Sequence, residues 1–339
     1  MYENYDLYNM TTPIVICDDS SMARKQMARS LPENWDVDIH FACDGAEGLN
    51  TIIACKAELL FLDLNMPVMD GYEVLEAIRK KDLPIMVIVV SGDIQPEAHQ
   101  RVMQLGALAF IKKPVAPGQI DDTLQKFGVP IERKSETIQI DVQVGLFDGY
   151  QEVANIAMGR AADLLARLLN VFVILPIPNV SMFEVSELHM ALSQFSDDDT
   201  SISALCQGFI GPGIAGEALM IFNETSFTDI AELMNYKGAI NESVQMELLM
   251  DTSNILIGAC LKGIADQLDI NFSQGHPVVL GRHIKIQDLL KQDNKRWQKT
   301  LAIEIPYRIE NKKISCDLLL LITEDSLKAL NDRISYLVE

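Results

Sequence analysis

Two stretches of the C-terminal half carry acidic and amide side chains at a spacing that could do chemistry. Each contains an acid, a second acid four residues later and an asparagine three residues after that. The two sets are Asp148, Glu152 and Asn155, and Glu247, Asp251 and Asn254. On a helix each residue advances about 100°, so such a set lies along one face. An amide can orient a water molecule without being ionised, and a carboxylate beside it can pair with a cation.

The two sets belong to a longer duplication. They are offset by 99 residues, and each asparagine is followed by a proline, Pro178 or Pro277, with 22 residues between. Residues 216–222 read like residues 316–322, and residues 224–227 read like residues 324–327, which form a helix-start pattern after a strand. We therefore predict that the C-terminal half is a tandem of two similar units of helices and strands. The two units would pack about a pseudo-two-fold axis and share one sheet.

A second group of reactive side chains lies in the N-terminal half. Four short apolar runs, residues 13–17, 59–62, 85–90 and 109–112, alternate with amphipathic segments. Continuous apolar runs of this length indicate a buried parallel sheet with helices on both faces. Functional side chains of such sheets lie at the carboxyl ends of the strands. The residues that follow these runs are Asp18 and Asp19, Asp63, Ser91, and Lys113.

These five side chains suit the transfer of a phosphoryl group. Three clustered carboxylates repel one another and need a cation, and all-oxygen ligation favours Mg²⁺. Lys113 can neutralise and position an incoming anionic group, and Ser91 can donate a hydrogen bond to it. Asp63 would then be the nucleophile that accepts the phosphoryl group.

The stretch from Ile14 to Phe127 resembles a CheY-type response-regulator receiver domain. The matching elements are Asp18-Asp19, the run from Phe61 to Gly71, Ser91-Gly92, Gly106-Ala107 and Lys113-Pro114. The resemblance implies an α/β fold with a doubly wound, five-stranded parallel sheet. It also implies that a histidine kinase is the phosphodonor and that Asp63 is the phosphorylated residue.

The same resemblance implies roles for the other residues of the site. The implied Mg²⁺ ligands are Asp19, Asp63 and the backbone of Asn65, with Asp18 assisting through water. Ser91 and the aromatic Phe110, three residues before Lys113, would report the phosphate to the surface formed by the fourth helix and the fifth strand.

The tandem of residues 141–339 resembles the CheC/CheX/FliY family of phosphatases, which remove phosphate from phosphorylated receivers. The family signature is Asp/Ser-x3-Glu-x2-Asn-x22-Pro; the first set fits it fully, and the second fits with both acids changed. The resemblance implies an α+β domain of two pseudo-symmetric helix–strand repeats. It also implies that Asn155 orients the attacking water and that Glu152 pairs with the lysine of the target receiver, with Asp148 and Glu247 supporting.

The second set is expected to be the weaker site. Asp251 is shorter than glutamate by one methylene, and a contact across two proteins is sensitive to a displacement of about 1 Å. The helix that carries Asp251 and Asn254 is therefore either a weaker phosphatase site or a helix that only packs.

The predicted organisation is an N-terminal tail over residues 1–12, a receiver over 13–127, a linker over 128–140 and the phosphatase-like domain over 141–339. Its repeats span about 141–240 and 241–339. Residues 138–146 are read as a strand or as a lead-in turn to the next helix. Both signature helices are rich in alanine and glycine, which indicates close approach of another backbone. We expect both helices on one face of the shared sheet, with their motif faces turned outward.

Composition narrows the function classes. The formal charge of −20 argues against nucleic acid as a partner, because its phosphates would repel such a surface. No apolar run approaches the roughly 20 residues that span a bilayer, and the N-terminus has no signal-peptide character, so membrane insertion is not expected. The six scattered cysteines have no metal-binding spacing, and we expect them to be reduced and buried in a cytoplasmic protein.

Three functions fit these patterns. The first is a response regulator of a two-component or chemotaxis pathway, whose output domain dephosphorylates a CheY-type receiver. The second is a non-catalytic module that binds receivers or senses their phosphate. The third is autoregulatory dephosphorylation of Asp63, within the chain or across a homodimer.

Overall fold

The computed structural model describes residues 11–133, 144–184, 202–223, 226–234, 236–284, 299–312 and 314–338. These residues form two compact units. The first contains the residues up to Ser91 and those from His99 to the gap before residue 144; the second contains Gly92–Ala98 and the residues from 144 onward. The predicted domain boundaries are not tested by this division and stay a prediction.

The first unit has a five-stranded parallel sheet in the order β2-β1-β3-β4-β5. The strands are β1 (Thr12–Cys17), β2 (Val37–Ala42), β3 (Leu59–Leu62), β4 (Met86–Ser91) and β5 (Ala109–Lys112). The helices are α1 (Ser21–Arg29), α2 (Gly45–Cys55), α3 (Gly71–Lys80), α4 (Pro96–Leu105) and α5 (Gln119–Lys126). The central strands β1 and β3 are almost completely buried, because helices cover both faces of a sheet of this kind. The predicted fold class is confirmed for this half.

The start of the predicted linker is attached to the first unit. Val129 is buried in its core, and the Asp36 amide donates to the Glu132 carbonyl oxygen at 2.7 Å. The backbone of Arg133 forms an isolated antiparallel β-bridge with that of Trp35, whose side chain is buried. Residues 134–143, which include most of the predicted strand or turn at 138–146, lie outside the described residues.

The second unit contains helices and one eight-stranded antiparallel sheet, as the predicted mixture of helices and strands requires. Its first half consists of α6 (Leu146–Leu169), β6 (Val173–Ile174), β7 (Asn179–Glu184), β8 (Ile202–Gly211), β9 (Ile214–Asn223) and α7 (Ser226–Leu233). Its second half consists of α8 (Glu242–Leu268), β10 (Ser273–Gln274), β11 (Val278–Ile284), β12 (Lys299–Ile309), β13 (Ser315–Thr323), a 3₁₀ turn (Glu324–Ser326) and α9 (Leu327–Val338). The described elements of the two halves follow one another in the same order.

The two halves exchange their edge strands. β9 pairs with β13 at the centre of the sheet, and β8 and β12 flank this pair. The short strands β6 and β7 of the first half pair with β12 of the second half. Likewise, β10 and β11 of the second half pair with β8 of the first half. Each half therefore completes the sheet of the other.

The long helices α6 and α8, which we call the first and second signature helices, pack on one face of this sheet. Both contribute to a single core with alternate residues of β9, β12 and β13. The helices approach closely where they cross, since a Cβ placed on Gly263 would lie 2.7 Å from the Cα of Ala157. This glycine therefore permits the close approach that the sequence indicated.

The inner side of the second signature helix is buried in this core. Burial raises the pKa of the Cys260 thiol to about 12. Among the described residues this helix is the one segment long and apolar enough to cross a bilayer, but 61% of its most apolar window is buried inside the fold. The expectation that all six cysteines are buried is wrong in part: Cys43 is exposed, because it lies in the loop after the edge strand β2, and Cys55 and Cys206 are half-buried.

Candidate functional site

The carboxyl edge of the five-stranded sheet brings three of the predicted site residues together. Asp18 follows β1, Asp63 follows the neighbouring β3, and Lys113 follows β5. The Lys113 Nζ lies 2.7 Å from an oxygen of Asp18 and 3.0 Å from an oxygen of Asp63. All three side chains are buried, so the charges are poorly screened and the ammonium holds the two carboxylates in place.

The loop after Asp63 fixes the position of its carboxylate. The backbone amide of Asn65 donates to Asp63 Oδ2 at 2.7 Å. Gly71, the first residue of α3, lies behind the loop, where a Cβ would be 2.8 Å from the Cα of Leu64. Asp70 and Glu73 form a capping box that starts α3 at this point. The sequence after Asp63 is therefore a tight turn whose backbone holds Asp63 Oδ2, while Oδ1 lies beside Lys113.

Ser91 and Phe110 lie on the adjacent strands β4 and β5. Ser91 is completely buried at the end of β4, and its carbonyl oxygen accepts from the Lys113 amide at 2.9 Å. Phe110 is half-buried, with its ring edge-on to the ring of His99 at a centroid distance of 5.4 Å. A movement of Ser91 would therefore reach both Lys113 and the strand that carries Phe110.

The donor set of this edge fits Mg²⁺. Asp18, Asp19 and Asp63 supply three carboxylates against the one ammonium of Lys113, so the edge has excess negative charge and only hard oxygen donors. The thiol of Cys17, which precedes Asp18, is affected by this negative charge. Burial and then the charges of Asp18 and Asp63 raise the pKa of this thiol well above its ordinary value. The residues that would hold the ion are Asp19, Asp63 and the backbone of Asn65.

The motif face of the first signature helix is buried, contrary to the prediction that it turns outward. Glu152 is 1% exposed and Asn155 is 8% exposed. Asn155 Oδ1 has no hydrogen-bond partner among the described residues. Asp148 lies at the helix start, where its carboxylate accepts from the Gly145 amide at 3.1 Å, and Pro178 is buried beyond the helix.

The segment Gly92–Ala98, which belongs to the second unit, lies against this helix. A Cβ placed on Gly92 would lie 3.3 Å from the Cα of Ile156 and 3.4 Å from the carbonyl oxygen of Asn155. In turn, a Cβ on Gly159 would collide with the Gly92 carbonyl and come within 3.1 Å of the Asp93 amide. Two glycines therefore let the backbone of the segment lie directly on the backbone of the helix.

Side-chain hydrogen bonds fix the same segment to β6. Gln95 is completely buried, and its amide both donates to the Val173 carbonyl oxygen and accepts from the Val173 amide, each at 2.8 Å. Asp93, also buried, accepts from the backbone and side-chain amides of Gln95 at 3.0 and 3.1 Å. Buried polar groups satisfied in this way hold a segment in one position.

The motif face of the second signature helix is exposed. Glu247, Asp251 and Asn254 are all exposed, as the sequence predicted for this helix, and Pro277 is half-buried. Gly258 occupies the position of Gly159 by the 99-residue offset. A Cβ placed there would meet only the end of the Gln274 side chain, at 3.9 Å.

Sequence reasoning missed the segment that covers the first helix. Gly92 belongs to a predicted motif, and the first signature helix is rich in small residues, but no sequence pattern joins the two. Asp93 and Gln95 carried no pattern at all. The one signal available was the matched mid-helix pair Gly159 and Gly258, since glycine there costs up to about 1 kcal/mol relative to alanine.

Comparisons with known proteins identify the first third of the chain. Residues 14–125 match the model of the response regulator receiver domain. The chain is 38% identical over 102 residues to a protein-glutamate methylesterase/protein-glutamine glutaminase of Geobacter sulfurreducens. That match covers 30% of this chain and 27% of the relative, so the chain spans less than a third of its length.

Two solved structures are also similar. The signal receiver domain of NarL from Mycobacterium tuberculosis covers 34% of this chain and 95% of its own at 28% identity, with a TM-score of 0.32. Thermotoga maritima FliY covers 58% of this chain and 99% of its own at 16% identity, with a TM-score of 0.42. Residues 14–125 match the family model, form the five-stranded parallel sheet and place a lysine beside two carboxylates at its edge. This part of the chain is therefore a response regulator receiver domain.

Proposed function

We propose that the chain is a cytoplasmic response regulator of a chemotaxis-type pathway whose second unit hydrolyses the aspartyl phosphate of a receiver. The observation that carries this proposal is the buried Asn155, whose Oδ1 has no hydrogen-bond partner among the described residues. A buried amide oxygen without a partner costs about 1–3 kcal/mol, and such a group in a native fold calls for a function. The same amide recurs at Asn254, on an equivalent helix.

The reaction asks little of the protein. Water attacks phosphorus in line, its bond to phosphorus forms as the bond from phosphorus to the aspartyl oxygen breaks, and the products are inorganic phosphate and the aspartate carboxylate. The proton of the water passes to the phosphate product. Asn155 and Asn254 would position this water, and Glu152 and Asp251 would pair with the lysine of the target receiver. No general base is needed, because an acyl phosphate already has a good leaving group.

The receiver of this chain would be phosphorylated on Asp63 by a histidine kinase. Mg²⁺ bound by Asp19, Asp63 and the Asn65 backbone, with Asp18 assisting, would neutralise charge on the phosphoryl group. Lys113, already 3.0 Å from Asp63, would pair with one phosphoryl oxygen. Ser91, at the end of the neighbouring strand, would hydrogen-bond to another, and Phe110 would follow its movement.

A phosphate-release assay tests the proposed activity. The substrates are CheY-type receivers phosphorylated with a small phosphodonor, and the enzyme is the full-length chain. We expect Asn155→Ala/Asn254→Ala together to slow release by at least about 100-fold, the scale on which mispositioned groups act. Unchanged release would eliminate the amides as catalytic groups, and absence of release by the wild-type chain would leave a non-catalytic receiver-binding module.

The close approach of Gly92, which follows Ser91, to Gly159 of the first signature helix favours a second candidate, dephosphorylation of Asp63 in the same chain. The first signature helix would then regulate the lifetime of the chain's own phosphate. In that case decay of the phosphate on Asp63 would be independent of protein concentration and would slow in Asn155→Ala. Decay that rises in proportion to protein concentration would instead indicate transfer across a dimer.

A further inference from the structure

The segment Gly92–Ala98 carries a side chain that takes the place of a neighbouring strand. Phe172, just before β6, accepts from the Glu310 amide at 3.1 Å, so Val173 directs its own N–H and C=O away from β12. Both groups are instead bonded to the side-chain amide of Gln95, each at 2.8 Å. Gln95 and Val173 are completely buried, so water does not compete for these bonds. We call the pair Gln95 and Val173 the Gln95 latch.

The latch restrains the end of β4. Ser91 is the last residue of this strand and lies only four residues before Gln95. Between them, Asp93 accepts from the backbone and side-chain amides of Gln95 at 3.0 and 3.1 Å. The backbone of Gly92 lies against Gly159, so the connection is held along its length and has little slack. The position of Ser91 is therefore tied through the chain to the edge strand β6.

The segment is open on one side. A cleft of about 430 Å³ lies between residues 95–97 and the end of the first signature helix, where residues 166, 167, 170 and 171 line it. Pro96 and Glu97 are exposed, in contrast to the completely buried Gln95. Hydrogen bonds thus hold the segment in place beside free volume, and once these bonds break it can be displaced without a clash.

We infer that the Gln95 latch restrains Ser91 and thereby opposes phosphorylation of Asp63. The inference rests on the proposed function, because it concerns the regulation of the phosphorylation site named there. A phosphoryl group on Asp63 gives the Ser91 hydroxyl a new acceptor, and Ser91 moves toward it only if the segment behind it moves too. Bonds that are stronger in the unphosphorylated state shift the equilibrium away from the phosphorylated one. The latch therefore limits the fraction of the chain that carries phosphate.

The coupling works in both directions. Because linkage is reciprocal, a phosphate on Asp63 weakens the latch by the same factor by which the latch opposes the phosphate. The Val173 amide, released from Gln95, then exchanges its hydrogen with solvent more readily. Val173 lies opposite Ile309 of β12, so the change reaches a sheet edge that both halves of the second unit build.

The first test is the rate of phosphorylation of the full-length chain. Gln95→Met keeps an unbranched side chain of similar length and removes both hydrogen bonds to Val173. We expect acetyl phosphate to label Asp63 at least about fivefold faster in this variant than in wild type, the lower end of the usual range for two-state coupling. Intact-protein mass spectrometry follows the labelling. Gln104→Ala, an exposed change of the same residue type on α4, is the matched control and should label as wild type.

The second test uses the wild-type chain and does not depend on the folding of a variant. A beryllium fluoride complex on Asp63 should speed hydrogen exchange of the Val173 amide about fivefold or more. Amides of β9 and β13, at the centre of the sheet, should keep their rates. In Gln95→Met the Val173 amide should exchange fast from the start and no longer respond to beryllium fluoride.

The outcomes are distinct. Labelling of Gln95→Met at the wild-type rate or more slowly, or a Val173 amide that does not respond to beryllium fluoride, overturns the inference. A purely structural Gln95 would give a less stable variant with an unchanged labelling rate. A wild-type chain that takes no label would remove the proposed phosphorylation of Asp63 and the latch with it. Labelling as expected without phosphate release from a separate receiver would remove the proposed phosphatase function and leave the latch.

Discussion

The first and second signature helices have similar lengths, polar residues at the same three positions and a glycine at the same position. One motif face is nevertheless buried and the other is exposed. Both helices pack on one sheet face. One difference between them is the segment of residues 92–98, which lies on the first helix and has no described counterpart on the second. Equivalent sequences in a duplicated fold can therefore have different accessibility, and under the proposed function accessibility would decide which substrate each can reach.

The largest expected effect is on phosphorylation of Asp63, which supplies one of the two phosphates on which the helices can be compared. Asp63→Asn should abolish labelling by a small phosphodonor, because Asp63 is the carboxylate held by Lys113 and by the Asn65 amide. Labelling is followed by intact-protein mass spectrometry, and excess chelator should have the same effect on the wild-type chain. Labelling that persists in Asp63→Asn would show another phosphoacceptor.

The next effect separates the two helices by substrate. Asn254→Ala should slow phosphate release from a separate receiver by about 100-fold, because that face is exposed. Asn155→Ala should instead slow decay of the phosphate on Asp63 by a similar factor, because that face is covered within the chain. Single-turnover assays on both substrates check the split. Equal effects of both changes in both assays would show that burial does not divide the work.

Phosphorylation should alter the cover of the first helix and leave the second unaffected. Gly92 follows Ser91 directly, so a phosphate that draws Ser91 inward would pull on the segment seated on Gly159. Two-state coupling of typically 1–3 kcal/mol gives about a 5- to 150-fold change. We expect beryllium fluoride on Asp63 to speed hydrogen exchange of residues 146–169 on this scale, with Asp63→Asn unresponsive. Equal acceleration in residues 242–268 would indicate general loosening instead.

The two mid-helix glycines should respond oppositely to alanine. Gly159→Ala places a Cβ against the Gly92 carbonyl and should lower stability by about 1–3 kcal/mol, or displace the segment. Gly258→Ala meets open space and should raise stability by up to about 1 kcal/mol. Denaturant unfolding of both variants measures the difference. Shifts of the same sign would contradict the packing at Gly92.

The smallest effect is electrostatic. Asp266 on the second signature helix pairs with Lys262 at 2.6 Å and with Arg160 of the first at 2.8 Å, and these interactions lower its pKa. The pairs are exposed, so Asp266→Asn should cost at most about 1 kcal/mol of stability. Neither phosphate release from a separate receiver nor decay of the phosphate on Asp63 should change. A loss of activity would mean that the surface between the helices takes part in docking.

Sequence alone gave the parallel sheet and its carboxyl-edge residues, because central strands are continuous apolar runs that end in polar side chains. The edge strand β2 was not recognised, since its residues Asp38 and His40 interrupt the apolar pattern at a partly exposed edge. The last receiver helix was predicted over residues 117–127 and observed at Gln119–Lys126, within the usual uncertainty of helix ends.

The burial of Glu152 and Asn155 could not be predicted in the same way. The segment that lies on this helix, residues 92–98, comes about 60 positions earlier in the chain, and its side chains follow no helical or strand period. Gly159 indicated that a backbone comes close but not which one. Sequence patterns indicate local periodicity. A long-range contact of one short segment produces no periodicity, and the only indication of it in the sequence is a single residue such as Gly159.

The exchange of edge strands has a consequence for how the two halves can evolve. Ile174 pairs with Arg308, and Ser273 pairs with Ile210, so each half supplies hydrogen bonds that the other lacks. A fragment with one half alone would expose unpaired strand edges, and folding must wait for contacts between residues 63 (Ile210 and Ser273) and 134 (Ile174 and Arg308) positions apart. Such interlocking commits the pair to a single cooperative unfolding unit. Neither half can therefore be lost without exposing the strand edges of the other. The second half is retained because the first needs its strands, and its outer surface is free to acquire a different partner.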